Sequence, residues 1–254
     1  MTKRVVLLRW PILISMILSV AACGTRPISD SGYQAESGHS SYGANNPFYQ
    51  GELSELDVLG GAGNASITDE DIQRSFAARR PLSVARGSPV MLVQSGAIFP
   101  DDPMIKSLST YYSVVGFSGI PERRASDSSS CINQSAPYSM SLRLLAAKGG
   151  YEKIVVYWGI LETAQENLTT KAVSWIPIIG GAIPDENQRM RIRLKLAVID
   201  VKSGQWETFA PAPIESAAIN ADDTRVSSDQ GQVASLKEAG YKAAADEVAS
   251  RYGS

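Results

Sequence analysis

The stretch Lys153 to Thr163, KIVVYWGILET, is apolar on both of the sides that a β-strand presents. Successive side chains of a strand point to opposite faces, so such a run is satisfied only between two layers of structure. It predicts a central strand of a sheet covered on both faces. A second stretch constrains the fold further. Met190, Ile192, Leu194, Leu196 and Val198 alternate with Arg189, Arg191, Arg193 and Lys195, a period-two pattern with one buried and one basic face. Ser203-Gly204 then makes a tight turn into Gln205 to Phe209, which predicts an antiparallel hairpin.

Helical signals fall between and after the strands. Thr68 ahead of Asp69-Glu70-Asp71 can cap free amides while the acids favour the positive end of the dipole, so a helix runs from there to about Arg79 and stops before Pro81. Pro89 to Gln94 reads as a short apolar strand, Asp101 or Asp102 opens a helix to Tyr112, and Ser113 to Gly119 is a second strand. Ser135 and Pro137 open a helix with Met140, Leu144 and Ala147 on one side, ended by Gly149. From Gln232 to Tyr252, Val233, Leu236, Gly240, Ala244 and Val248 fall at helical spacing. The implied fold class is α/β (α+β): a mixed sheet with helices packed on it, an antiparallel C-terminal hairpin and a C-terminal helix, all in one domain over 51–254.

The amino terminus reads as an address. Residues 1–22 carry Lys3 and Arg4, an apolar stretch centred on Ile12 to Val20, then Ala21 and Ala22, the plan of a secretory signal. The apolar run is interrupted by Arg9 and Pro11 and is too short to span a bilayer. Val20-Ala21-Ala22-Cys23 resembles a bacterial lipobox, which implies lipidation at Cys23, palmitate among the acyl chains, and a membrane partner reached through them. Gly24 in place of Asp is similar to lipoproteins sorted to the outer membrane, so the expected location is the cell envelope, on the outer membrane and facing the periplasm. Residues 23–50 are rich in Ser, Gly, Asn and Tyr with few aliphatics, and are expected to be a flexible tether holding the sole histidine, His39. Of 24 bases, three lie in the signal; the remaining 21 face 26 acids. A mildly acidic chain offers no general field for nucleic acid, which is excluded as a partner.

Catalytic patterns are sparse. A nucleophilic triad needs a base beside its nucleophile, most often a His, and His39 lies in the tether. Cys131 follows three serines in an expected loop with no second Cys left to pair once Cys23 is acylated. Asp69-Glu70-Asp71, Asp101-Asp102 and Asp222-Asp223 are better explained as caps and turns than as metal sites, and Gly60-Gly61-Ala62-Gly63 lacks the Lys-Ser/Thr of a phosphate loop. No metal, cofactor or catalytic residue is expected.

Interaction is easier to place. Trp175, Ile176, Ile178, Ile179 and Ile183 surround Gly180-Gly181, and an apolar hairpin tip of this kind either contacts a partner or membrane or folds back over the sheet. Beside it, Arg191 and Arg193 could meet an anionic surface, or else pair with cross-strand acids such as Glu162 and Glu166.

A wider likeness rests on the run Ala146 to Gly159, where a helix ends at Gly149 and a strand reaches a Gly, and on Arg191 to Trp206, where a strand closes with Asp200-Val201-Lys202-Ser203-Gly204 and Trp206. This pattern resembles the family that includes the TolB amino-terminal domain, the curli secretion lipoprotein and the outer-membrane activators of peptidoglycan synthases, over about residues 85–254. The resemblance implies an α/β periplasmic module that binds envelope proteins without catalysing a reaction; an apolar insertion at 164–187 departs from it. The expected function is therefore a non-catalytic protein-binding module of an envelope assembly or transport system. The alternatives are an envelope hydrolase or peptidase using carboxylates or a bound metal, and a structural lipoprotein that self-associates as a homo-oligomer.

Overall fold

A computed structural model describes residues 27–30, 49–61, 67–121, 137–166, 173–177, 189–217 and 225–253. The strands are β1 (Pro89–Gln94), β2 (Ser113–Phe117), β3 (Lys153–Glu166), β4 (Val173–Pro177), β5 (Arg189–Asp200), β6 (Trp206–Phe209) and β7 (Ile214–Ala217). The helices are α1 (Glu55–Leu59), α2 (Asp69–Ala78), α3 (Asp102–Ser109), α4 (Tyr138–Lys148) and α5 (Arg225–Tyr252). This is the mixed α/β class expected from the sequence. One sheet runs in the order β2-β1-β3-β5-β6, with β4 also alongside β3 and β7 alongside β5.

The long strand β3 organises the sheet because its two halves pair differently. In the lower half, Lys153 to Tyr157 lies parallel to β1 on one side and antiparallel to β5 on the other. In the upper half, β1 has ended and Glu162 to Glu166 pairs instead with β4. On the far side, β5 pairs with β6 at its lower end and with β7 at its upper end.

Two cores follow from the alternation of side chains. On one face Val90, Leu92, Val155, Tyr157, Met190 to Val198 at alternate positions, and Leu236, Tyr241, Ala244 and Val248 are buried together with Met104 and Leu108, so α3 and α5 cover this face. Gly240 lets α5 lie close, since a Cβ there would meet Ile192 Cγ2 at 2.9 Å. On the other face Met91, Val93, Ile154, Val156 and Ile199 pack with Leu53, Val58, Leu142 and Ala146, under α1 and α4.

The helix starts behave as their residues dictate. Thr68 and Asp71 form a reciprocal capping box at α2, whereas Asp101, ahead of α3 with Pro103 in its first turn, makes no side-chain cap hydrogen bond and turns its carboxylate to α5 instead. One helix face is corrected: Met140 and Leu144 point to solvent, whereas Leu142 and Ala146 meet the sheet. Spacing alone places a stripe and leaves open which of two adjacent stripes is inside. β4, β7 and α1 are elements the sequence reading left unassigned.

The expected tether is corrected in part. Pro27 forms an antiparallel bridge with Ile160, and Ile28 to Asp30 makes a short 3-10 turn with Ile28 1% exposed in the α5-side core. Pro27 thereby fills the stretch of β3 edge left open between the end of β1 and the start of pairing with β4. Ile28 is seated by Gly159, where a Cβ would approach Ile28 Cδ1 to 2.8 Å and Leu194 Cδ2 to 2.7 Å. A single aliphatic residue among polar neighbours docks because a glycine 131 positions later leaves a socket for it.

Candidate functional site

Among the described residues, α5 covers one face of the upper half of β3 and β5. On the other face, side chains of β3, β4, β5 and β7 build a layer of charge and aromatic surface. Glu162 is 3% exposed and receives Arg191 Nε on one oxygen and Arg193 Nη1, at 3.3 Å, on the other. The guanidinium carbon of Arg191 lies 4.2 Å from the centre of the Trp175 ring, and that of Arg189 lies 5.8 Å from it. Arg189 also pairs with Glu215 at 2.9 Å, and Lys195 with Glu55 at 2.6 Å. The basic ridge is thus paired with acids of β3, β7 and α1; of the two cross-strand acids expected, Glu162 takes part, and the side chain of Glu166 lies outside the described residues. Arg193 remains half exposed and offers donors outward.

Of the residues expected to carry interaction, Trp175, Arg191 and Arg193 come together here. The backbone of Ile176 pairs with Thr163. Ile178, Ile179 and the rest of the apolar segment lie outside the described residues, as do Cys23, His39 and Cys131. The carboxylates weighed for an enzyme do not converge: Asp101 meets α5, whereas Glu162 lies on the opposite face of the sheet. Among the described residues no group of three His, Cys, Asp or Glu side chains could hold a metal ion.

A second polar cluster sits at the carboxyl end of β1, on the shoulder where β3 continues upward past it. Gln94 is 1% exposed and ties four elements together. Its Oε1 accepts from Tyr157 Oη at 2.5 Å and from the backbone N–H of Asp101 at 2.7 Å, while its Nε2 donates to Ser29 Oγ at 3.2 Å. Ser29 Oγ donates to the Ser95 carbonyl, and Ser95 Oγ accepts from the Leu53 N–H at 2.7 Å. Asp101 accepts from Tyr241 and pairs with Lys237 at 2.9 Å. Burial pushes the Tyr157 and Tyr241 hydroxyls well above the ordinary tyrosine range, so both stay protonated and act as donors.

Glu52 closes the shoulder. Its two carboxyl oxygens are enclosed without a close hydrogen-bond partner, and burial raises its pKa from 4.5 to about 7 against the opposing pull of the nearby Ser95 and Tyr49 hydroxyls. Sequence reasoning missed this cluster. The signal was a Gln ending an apolar parallel strand just ahead of Ser-Gly, a polar group that burial obliges to find partners.

The chain belongs to the YafT bacterial lipoprotein family, which matches residues 54–251, and is accordingly a protein of the cell envelope. No curated protein matches it. Two solved structures are distantly similar. One is described as a neuraminyllactose-binding hemagglutinin homolog from Helicobacter pylori, with 11% identity, 68% of this chain and 89% of that chain covered, and a TM-score of 0.30. The other is a PelC dodecamer from Paraburkholderia phytofirmans, with 12% identity, coverage of 65% and 95%, and a TM-score of 0.26.

Proposed function

We propose that the protein is acylated at Cys23, sits on the periplasmic side of the outer membrane, and binds another envelope protein through the upper sheet face without catalysing a reaction. The observation that carries the reading is the docking of Pro27–Asp30. In open α/β sheets small ligands bind outside the carboxyl ends of parallel strands, next to where successive connections leave on opposite faces. Here β1 leads to α3 on one face and β2 leads to α4 on the other, and Ser29 is hydrogen-bonded into the end of β1. The chain's own anchor-proximal segment takes the place of a substrate.

Interaction then falls to the charged and aromatic face around Trp175. Trp and Arg are the side chains that most often dominate protein interfaces, and a Trp held by a stacked Arg and a buried Glu is already ordered before a partner arrives. The hydrolase reading draws no support from acids that lie on opposite faces.

The test has two arms. Fatty-acid labelling in cells should mark the protein and be lost in Cys23→Ala; labelling that survives the substitution overturns the anchor. A photo-crosslinking residue at Arg193 should give adducts to a second envelope protein, reduced by Trp175→Ser with little change in melting temperature. Adducts only between copies would replace this reading with self-association, and none at all would exclude the face.

A further inference from the structure

From the same docking we infer that the connection Ser95–Asp101 is the membrane-facing surface of the domain, with Phe99 lying in the lipid headgroup region. The inference rests on acylation at Cys23, as proposed above. Cys23 precedes Pro27 by four residues, and fully extended chain covers at most about 3.6 Å per residue, so the acylated end lies within roughly 14 Å of Pro27. Pro27 is fixed on Ile160, and Ser29, two residues on, donates to the carbonyl of Ser95 at the start of this connection. The antiparallel bridge sends the chain ahead of Pro27 away from Ser29, yet both ends of this short segment stay on the upper part of the sheet, above the Ile154 level, which keeps the lipid surface and the Ser95–Asp101 connection toward the same end.

The connection itself is built to present an apolar side chain. Phe99 is 78% exposed, yet the backbone around it is held: Gly96 N–H donates to Gly119 at 2.9 Å, Gly119 N–H to Ala97 at 2.8 Å, and Asp101 N–H to Gln94. Pro100, next in the chain, is buried, so Phe99 cannot fold inward without breaking these contacts. One aromatic side chain brings only about 1.5–3 kcal/mol on full burial, too little to hold a protein on a bilayer by itself. With the anchor supplying proximity, that amount is enough to fix orientation. The occupant is phospholipid because the anchor delivers this end of the domain to the bilayer.

The molecule contains its own reference. Trp206 is 46% exposed on β6 and pairs with Ile199, which pairs with Ile154. Ile154 lies six residues before Ile160 on β3, which at 3.3 Å per residue is about 20 Å from the position that Pro27 bridges.

The experiment uses the full lipidated protein in phosphatidylethanolamine and phosphatidylglycerol vesicles, with Cys131→Ser and a nitrobenzoxadiazole label at Phe99→Cys or at Trp206→Cys. Reduction by aqueous dithionite should be at least about threefold slower at position 99 than at 206, as for a group in the headgroup region. In detergent the two rates should converge. Inserting about twelve Gly and Ser residues between Thr25 and Arg26 should bring the rate at 99 to that at 206, because a longer chain dilutes the domain away from the surface. Equal rates in vesicles, or protection that survives the insertion, overturn the inference. Fatty-acid labelling of the same samples separates the cases: without it the anchor proposal fails, whereas labelling with an unprotected position 99 refutes only the orientation.

Discussion

The two halves of β3 are built for different ends. From Lys153 to Tyr157 the strand lies between β1 and β5, and Val155 and Val156 pack into separate cores under different helices. From Ile160 to Thr163, among the described residues, α5 packs on one face, and the other carries Glu162 beneath Arg191 and Arg193. The lower half contributes stability through apolar burial, while the upper half keeps charged and aromatic groups ordered and in part accessible. One strand can do both because the partner on its β1 side changes along its length, from a covered parallel neighbour to Pro27 and then to β4.

The comparison breaks most sharply at Val156. Val156→Asp places a carboxylate in a core position with 0% exposure, costing several kcal/mol against a total stability of about 5–15 kcal/mol, and should abolish cooperative thermal unfolding. A native-like melt would show that the lower half is not the stabilising one.

A smaller and more local effect is expected at Glu162. Glu162→Ala leaves two guanidinium groups without their shared partner and should cost about 2–3 kcal/mol, less than a fully enclosed pair because Arg193 reaches solvent. Hydrogen exchange should quicken at Arg191 and Arg193 while the amides of Val155 to Tyr157 stay protected; quickening along the whole strand would mean that the halves unfold as one unit.

Glu52, at the junction of the halves, gives the smallest effect and the opposite sign. Its pKa is higher folded than unfolded, so the folded state binds its proton more tightly, and stability declines as pH rises from 4.5 through about 7. Glu52→Gln should remove that decline and raise stability at pH 8 by about 1–2 kcal/mol, reduced by partial solvent access. A variant whose melting temperature keeps the parent's pH profile would exclude Glu52 as its source.

How legible each part was follows from the range of its interactions. Lys153 to Thr163 announces a covered strand because every position is constrained by the same environment, and Met190 to Val198 alternates because its two faces differ. The Trp175–Arg191–Glu162 arrangement was legible only as ingredients, since the pairing of Ala164 with Trp175 and of Glu162 with Arg191 depends on register across three strands. Ile28 gave no local signal at all. Its partner is an absence of side chain at Gly159, which becomes a socket only once the sheet is assembled.

The bridge between Pro27 and Ile160 also determines how the domain carries tension. A pull on the chain ahead of Pro27 enters near the middle of the longest strand rather than at a terminus. From there it passes sideways into the ladder that runs from Lys153–Asp200 to Thr163–Met190. The first contacts to yield would be those of Pro27, Ile28 and Ser29, ahead of the ladder between β3 and β5. Under strain, that short segment gives way before the sheet does.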